Sequence, residues 1–249
     1  MKTIGILGGM SSASTALYYK QLNLGVRARL GGLHSAQILL RSLDFALIAE
    51  LQAKNDWSTA GALLNQEALA LERGGAELLL LATNTMHKVS SLVTAGLEIP
   101  FLHIGDATAR AITAAGLSHP GLIATSYTMS ETFYTGRLKE AGLHTVLPVE
   151  DDRELTHRII YEELCKDIIT TRSRRRYEGI AEVAQRCANL LHRVRAKQSQ
   201  RSQLSLHASV LPCCGQQRLL SLHVTPSQSN LIQTYPILSY PILSYPILS

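Results

Sequence analysis

The last 67 residues of this 249-residue sequence contain no acidic side chain. Every Asp and Glu lies at or before Glu182, whereas six of the 24 Lys and Arg residues lie in 183–249. Residues 1–182 therefore hold 18 bases and 19 acids, a net charge of −1, although the whole chain carries +5. The excess of basic residues lies in the tail. Six bases over 67 residues are too few for a segment that binds along a nucleic-acid phosphate backbone. We expect no nucleic-acid partner.

Long apolar runs, a signal peptide and metal-type cysteine spacing are also missing. No apolar stretch approaches the ~18 residues of a membrane-spanning helix, so no membrane association is expected. The N-terminus is too short and glycine-rich for a signal peptide, which favours a cytoplasmic location. The spacing of the cysteines favours free thiols in a reducing compartment, with no bound metal. The four are Cys165, Cys187, Cys213 and Cys214.

Short apolar runs alternate with segments of helical periodicity up to about residue 188, which predicts βαβ units and a parallel sheet. The predicted strands are Thr3–Leu7, Ala36–Leu40, Glu77–Ala82, Pro100–Ile104, Gly121–Thr125 and Thr145–Leu147. The predicted helices are Ser11–Arg29, two within 44–74, Asp106–Ala115, one ending at Ala141, Asp151–Cys165 and 168–188. Two strand-turn-helix openings, at 3–29 and 119–142, predict an α/β fold of two Rossmann-like lobes. Their expected bounds are 1–115 and 116–187.

The sequence pattern changes after residue 187. Gln, Ser, Leu, Arg and His dominate without a clear period, and Tyr-Pro-Ile-Leu-Ser occurs three times from Tyr235 to Ser249. Such low-complexity sequence does not specify a packed element. We therefore expect 188–249 to be an irregular tail and the second lobe to be incomplete.

A polar cluster follows the strand that contains Leu78–Leu81. Parallel strands carry such loops to the carboxyl edge of a sheet, where ligands of α/β proteins usually bind. Thr83, Asn84 and Thr85 have two interpretations: they cap a helix, or Asn84 and Thr85 hold a carboxylate while Thr83 faces the reacting carbon. His87 is either a general base or an ordinary packing or surface histidine.

A glycine-rich turn, Gly8-Gly9, joins the first strand to the first helix. Its backbone N–H groups suit a carboxylate or a phosphate. The spacing does not match G-x-G-x-x-G, so a dinucleotide site with Asp44 on the ribose is disfavoured. A small-anion site and a plain tight turn remain the alternatives.

Four motifs, in order, resemble the aspartate/glutamate racemase family. They are Gly5-Ile-Leu-Gly-Gly-Met10, Leu81-Ala-Thr-Asn-Thr-Met-His-Lys88, Pro100-Phe-Leu-His-Ile-Gly-Asp-Ala-Thr108 and Thr125-Ser-Tyr-Thr-Met129. The resemblance covers residues 1 to about 186 and is nearest to the bacterial broad-specificity amino-acid racemase branch. It implies PLP-independent racemisation of aspartate, glutamate or a related amino acid between two α/β lobes, without a cofactor. Homodimers are frequent in the family. The implied substrate contacts are Met10, Ser11, Gln52, Asn84, Thr85 and Thr125.

The chain departs from this family at its acid/base positions. Inversion of a stereocentre needs one group to remove a proton and another to deliver one from the opposite face, and the family uses a cysteine from each lobe. Thr83, a weaker base, occupies the first position. The second motif, Gly-Cys-Thr-Glu, is absent, and neither Cys187 nor Cys213-Cys214 matches it. We expect little or no racemase activity. The alternatives are a non-catalytic amino-acid or dicarboxylate-binding protein and a frameshifted, non-functional product.

Three further positions differ or stand out against the family pattern. Ser12-Ala13 replaces a bulky residue or Pro followed by Glu. Trp57 lies with Gln52 in the loop that relatives place near the distal end of the substrate. Lys166 occupies a position at which some aspartate-preferring members carry a base, although a surface lysine is the simpler interpretation.

The genetic code offers a reason for the lost motif. Leu191-His192-Arg193-Val194 can be encoded by CTG-CAC-CGA-GTT, and the same bases read one nucleotide later give Cys-Thr-Glu. The preceding Gly is not recovered, because every codon for Leu190 has T in the middle. We hypothesise a shift of reading frame between about residues 185 and 191. Codons for 191–194 that give Cys-Thr-Glu in neither shifted frame would rule it out.

Overall fold

A computed structural model describes residues 1–201 and 231–233, with side chains through residue 191. Its strands are β1 Ile4–Gly8, β2 Ile38–Ser42, β3 Leu78–Leu81, β4 Phe101–Leu102, β5 Gly121–Ile123 and β6 Leu231–Gln233. The first four form a parallel sheet in the order β2-β1-β3-β4, and the last two form a second parallel sheet. The predicted α/β class is confirmed.

Helices connect these strands. The α-helices are α1 Ser12–Leu30, α2 Phe45–Ala53, α3 Trp57–Arg73, α4 Ser90–Val93, α5 Ile104–Ala114, α6 Ser126–Ser130, α7 Thr132–Glu140, α8 Glu150–Glu162 and α9 Thr171–Arg201. Two 3-10 helices, Thr85–Val89 and Leu164–Lys166, precede α4 and α9. Short polar side chains begin several helices: the hydroxyl of Ser11 accepts from the backbone N–H of Ser14 in α1, and Asp56 caps α3.

The first sheet is covered on both faces, which explains the apolar character of β1 and β3. All residues of both strands are buried. Leu79 and Leu81 pack on the side of α3, whereas Leu78 and Leu80 pack with Tyr18 on the side of α1. This alternation fixes the register of β3. The polar loop that follows β3 therefore leaves the sheet at a defined place.

The strand predicted at Thr145–Leu147 is wrong. Val146 forms a single parallel bridge with Gly121, in which it donates to Pro120 O at 2.8 Å and accepts from Leu122 N at 2.9 Å. Proline has no N–H, so Pro120 and Pro148 cannot extend the ladder. The turn expected after β5 is replaced by a helix, because Ser126–Ser130 form α6 and the hydroxyl of Thr125 caps its N-terminus.

The irregular conformation expected for 188–249 does not hold for 188–201, which continue α9. Residues 180–201 contain neither Gly nor Pro and are rich in Ala, Leu, Gln and Arg, so helix propensity explains the extension. Residues 231–233 pair with β5. The pentapeptide repeat and Cys213-Cys214 lie outside the described residues. The lobe boundaries remain a prediction.

Candidate functional site

One pocket brings together residues that are far apart in the sequence. Seven of its lining residues are those predicted to contact a substrate or its reacting carbon: Met10, Ser11, Gln52, Thr83, Asn84, Thr85 and Thr125. The others are Ser14, Phe45, Ile160, Tyr161 and Cys165. The space inside this lining, counted out through its open mouth, is about 500 Å³.

The turn after β1 and the start of α1 form one wall. Gly9 donates its N–H to Thr15 Oγ1 at 2.8 Å, and that hydroxyl donates to Ser11 O at 2.8 Å. Leu43 N donates to Gly8 O at 3.0 Å, which holds the turn against the segment after β2. Ser11 is buried, and Ser14 donates from Oγ to Ala82 O at 3.5 Å. This wall therefore places two hydroxyls and a helix N-terminus beside the loop that follows β3.

The loop after β3 forms the second wall. Asn84 precedes the 3-10 helix but makes no side-chain capping hydrogen bond, so the capping interpretation fails for Asn84. Its Oδ1 is buried without a hydrogen-bond partner among the described residues. Thr85 Oγ1 lies 3.0 Å from Thr125 Oγ1, which lies 3.1 Å from Thr128 Oγ1. These hydroxyls join the first sheet to the segment that follows β5.

Gln52 and Tyr161 form the third wall, in which the Gln52 amide is engaged by the protein itself. Tyr161 donates from its hydroxyl to Gln52 Oε1 at 2.8 Å, and Gln52 Nε2 donates to Met86 Sδ at 3.0 Å. The Tyr161 ring stacks on Phe45 with centroids 5.9 Å apart. Burial raises the pKa of Tyr161, so its hydroxyl stays protonated. The two bonds orient the Gln52 amide and use one of its two N–H donors.

Cys165 brings a thiol into the pocket, which the sequence did not indicate. Burial raises its thiol pKa, and a hydrogen bond with the Ser11 side chain opposes that shift. Lys166, beside it in sequence, is exposed and does not line the pocket. Trp57 is not among the lining residues either; its ring lies 3.9 Å from Lys88 Nζ. None of the described lining residues is Lys or Arg.

His87 is buried and does not line the pocket, so the structure favours the packing interpretation over the general base. Its Nδ1 lies 2.7 Å from Thr83 O, and its Nε2 accepts from Ile104 N at 3.2 Å. Burial, and then the neighbouring His103, lower the pKa of His87 well below its ordinary value. The ring therefore stays neutral directly behind Thr83.

His103 is expected to make the protein less stable in acid. It is the N-cap of α5, and its Nδ1 accepts from Gly105 N at 3.0 Å. Burial, and then Arg137, lower its pKa from 6.5 to about 3. The unfolded chain therefore takes up this proton first, and the stability contributed by neutral His103 is complete above pH 6.5 and is lost as the pH falls toward about 3. Urea denaturation at several pH values measures this loss.

His103→Asn keeps a capping acceptor that does not titrate, so its stability should fall less between neutral and acidic pH than that of the parent chain. His34→Asn is the matched control, because His34 is exposed. Equal pH dependence in the parent chain and His103→Asn would refute this expectation.

Five lining residues were missed by sequence reasoning. Ser14 stands one turn after the N-cap of α1 and could have been inferred from helical geometry. Phe45 follows Asp44 directly, but an apolar residue there carries no functional signal. Ile160, Tyr161 and Cys165 belong to α8 and the following 3-10 helix, and no spacing in the sequence relates them to Thr83.

In the described part of the chain, no helix is both long and apolar enough to cross a membrane. No group of three or more His, Cys, Asp or Glu side chains there is placed to hold a metal ion.

Similarity to known proteins identifies the family of this chain. The family model for Asp/Glu/Hydantoin racemase matches residues 7–198. A candidate Asp/Glu racemase from Yersinia pestis is 48% identical with a TM-score of 0.66, over 74% of this chain and 80% of that chain. An aspartate racemase homologue from Pyrococcus horikoshii OT3 is 33% identical with a TM-score of 0.62, over 75% and 79%. Aspartate racemase from Picrophilus torridus, 23% identical with a TM-score of 0.59 over 73% and 75%, shares the fold. This chain belongs to the Asp/Glu/hydantoin racemase family.

Proposed function

We propose that the pocket binds a free α-amino acid and that this chain is a PLP-independent amino-acid racemase in which two-base proton transfer is impaired. The observation that carries the proposal is the convergence of Ser11, Thr83, Asn84, Thr85 and Thr125 on one pocket. These residues come from the carboxyl-side loops of three different strands. Family membership supplies the reaction class.

The polar groups of the pocket suit the α-carboxylate and the α-ammonium group of an amino acid. In this proposal the Ser11 hydroxyl, at the N-terminus of α1, receives a carboxylate, which a helix N-terminus also favours. The buried, unpartnered Oδ1 of Asn84 is a hydrogen-bond acceptor, and an α-ammonium group would satisfy it. The proposal thus assigns Asn84 to the ammonium group rather than to the carboxylate.

Proton transfer is the impaired step. Thr83 faces the pocket at the position of the first acid/base, but an alcohol is a weak base without an activating partner. The sequence supplies no Gly-Cys-Thr-Glu for the second position. Cys165 is a thiol in the same pocket, yet its raised pKa leaves little thiolate to act as a base at neutral pH. We therefore propose binding with little or no racemisation.

The lining residues favour a substrate with an uncharged side chain. Phe45, Ile160 and Tyr161 present largely apolar surface, and Gln52 is already hydrogen-bonded. A buried aspartate or glutamate side chain would need a cation or several free donors, because an unpaired charge is costly to bury. Relatives named for aspartate suggest an acidic substrate, but the described walls lack the basic group that would select one.

Isothermal titration calorimetry with L-asparagine and L-aspartate tests this proposal, because the two ligands have nearly the same shape and differ in charge. We expect L-asparagine to bind at least about tenfold more tightly, since desolvating an unpaired carboxylate costs more than 1.4 kcal/mol. Equal or tighter binding of L-aspartate would overturn the assignment of the side-chain wall. No heat with either ligand, or with other α-amino acids, would overturn the binding function.

Thr85→Val provides a matched variant for the same titration. It keeps the shape of the side chain but removes the hydroxyl that lies 3.0 Å from Thr125 Oγ1. We expect about tenfold weaker binding, because the amino acid would lose the contact proposed with this hydroxyl, and a buried polar group left without its partner costs roughly 1–3 kcal/mol. Thr94→Val is the control, since the Thr94 hydroxyl donates to Ser90 O at 2.9 Å outside the pocket lining.

Non-catalytic amino-acid binding is the second candidate, favoured by a pocket with its binding groups present and its second catalytic cysteine missing. A third proposal concerns the origin of the missing motif: a reading-frame shift between about residues 185 and 191. The coding DNA decides it.

Homodimers are frequent in this family, and a homodimer of this chain is a further proposal. Analytical ultracentrifugation would decide it.

A further inference from the structure

His87 connects the reacting loop to the start of a helix through both of its ring nitrogens. Nδ1 lies 2.7 Å from the carbonyl oxygen of Thr83, and Nε2 lies 3.2 Å from the backbone nitrogen of Ile104, the first residue of α5. The side chain is 1% exposed. It therefore has no contact with solvent that would allow the ring to exchange partners.

These two contacts determine the tautomer of His87. The backbone N–H of Ile104 can only donate, so Nε2 must carry a lone pair. The carbonyl oxygen of Thr83 can only accept, so Nδ1 must carry the proton. Protonation of the second nitrogen would break the bond with Ile104. The ring is thus a neutral donor aimed at the backbone of Thr83.

The surroundings keep both neighbouring imidazoles neutral. His103 lies edge-on to His87 with ring centroids 4.5 Å apart, and its Nδ1 accepts from Gly105 N in the first turn of α5. The positive end of an eleven-residue helix disfavours an imidazolium. Burial is the main cause that lowers the pKa of both histidines, and Arg137, paired with Asp106 at 2.8 Å, adds to it. Two imidazoles therefore cap consecutive N–H groups of α5, and one of them also holds Thr83.

We propose that His87 is the positioning residue of the site: its Nδ1–H fixes the Thr83 carbonyl, and so orients the Thr83–Asn84 peptide toward the bound amino acid. The proposal rests on the proposed binding function for its consequence, although the hydrogen bond itself does not depend on a ligand. His87 touches no lining face of the pocket, so it acts through Thr83 and not as an acid or base.

Two substitutions of His87 each keep one of its hydrogen bonds. In His87→Asn, the side-chain amide nitrogen lies near the place of Nδ1 and can still donate to Thr83. In His87→Gln, the longer amide reaches the place of Nε2 and can still accept from Ile104. Each variant loses one buried hydrogen bond, so a merely structural role predicts similar losses of stability and equal effects at the site.

The carbonyl ¹³C chemical shift of Thr83 and the affinity for L-asparagine distinguish the two roles. We expect His87→Gln to move the Thr83 carbonyl shift and to weaken binding by about tenfold, the loss of one hydrogen bond from a positioned group. His87→Asn should keep the shift and bind within about threefold of the parent chain, because its amide preserves the donor. Histidine ¹⁵N spectra of the parent chain should show His87 as the Nδ1–H tautomer without titration in the neutral range.

An Nε2–H tautomer, or equal carbonyl shifts in the two variants, would overturn the positioning role. If the parent chain binds no amino acid, the proposed function fails, and the tautomer and the carbonyl shift still decide the role of His87. If both variants retain binding while only His87→Gln changes the carbonyl shift, the consequence for the ligand is refuted.

Discussion

Gly9→Ala is expected to lower the free energy of unfolding by more than about 3 kcal/mol, in the range of severe backbone lesions. A Cβ at Gly9 would lie 2.2 Å from the carbonyl oxygen of Leu43 and 2.4 Å from its nitrogen. Both are backbone atoms, so no side-chain rotation relieves the overlap. Gly9 also has φ +90°, which an L-residue rarely adopts. Two independent penalties therefore act at one position.

Gly75→Ala separates these two penalties. Gly75 has a similar φ, +96°, but a Cβ there would meet nothing within 4 Å. We expect it to cost about 1–2 kcal/mol, the conformational penalty alone. Urea denaturation of both variants measures the difference. Equal losses would show that the contact with Leu43 can relax and would contradict the expectation for Gly9→Ala.

Gly9→Ala should also weaken ligand binding, because the turn that contains Gly9 positions part of the pocket. The next two residues, Met10 and Ser11, line the pocket, and Ser11 is the N-cap of α1. A displaced turn would move Met10 and Ser11. It would also disturb the hydrogen bond that Gly9 N–H donates to Thr15 Oγ1. Residual folded Gly9→Ala protein should therefore bind L-asparagine more weakly than Gly75→Ala protein. Gly75 lies between α3 and β3, outside the pocket lining.

The position of the loop Thr83–Thr85 was predictable from the sequence, because such loops lie at the carboxyl edge of a parallel sheet. Leu78–Leu81 are apolar on both faces, which marks an interior parallel strand, and polar residues directly after such a strand meet the carboxyl edge of the sheet. The resemblance then supplied residues from other loops. All seven predicted site residues line the pocket, although their roles remain proposals.

Other features depended on contacts that the local sequence does not encode. Val146 lies in an apolar run that resembles a strand, but Pro148 after it and Pro120 before β5 limit it to a single bridge. Tyr161 and Cys165 reach the pocket because the 3-10 helix Leu164–Lys166 packs near α1, a long-range contact. The tautomer of His87 depends on Ile104, 17 residues away, and so could not be read from the motif alone.

The extent of helix α9 does not show where a shift of reading frame would lie. The family model matches as far as residue 198, and helical backbone extends to Arg201, so neither feature marks a boundary at residue 187. A run rich in Ala, Leu, Gln and Arg forms a helix from composition alone, in whichever frame it arises. The DNA that encodes 185–194 is therefore more informative than the conformation of this segment.

Absence of racemisation is the second large effect that we expect. Exchange of an α-proton requires a base on one face of the carbon and, for inversion, an acid on the other. Thr83 is a poor base, and Cys165, whose thiol pKa is raised by burial, lies in the 3-10 helix Leu164–Lys166 beside Ser11. The expected result is bound amino acid whose configuration does not change. Restoring Cys-Thr-Glu by moving the gene into the neighbouring frame, where its codons permit, together with Thr83→Cys, should restore inversion and provides the positive control.

Proton NMR of L-asparagine, L-aspartate and L-glutamate, each incubated with the protein in D₂O, tests the central claim most directly. We expect the α-proton signal to persist and no D-enantiomer to form, while calorimetry under the same conditions shows L-asparagine bound. Loss of the α-proton at about 1 s⁻¹ or faster, the ordinary range of enzymes, would contradict the account. Such exchange would mean that this chain has an effective base, and formation of the D-enantiomer as well would mean that Thr83 and another group already complete the two-base site.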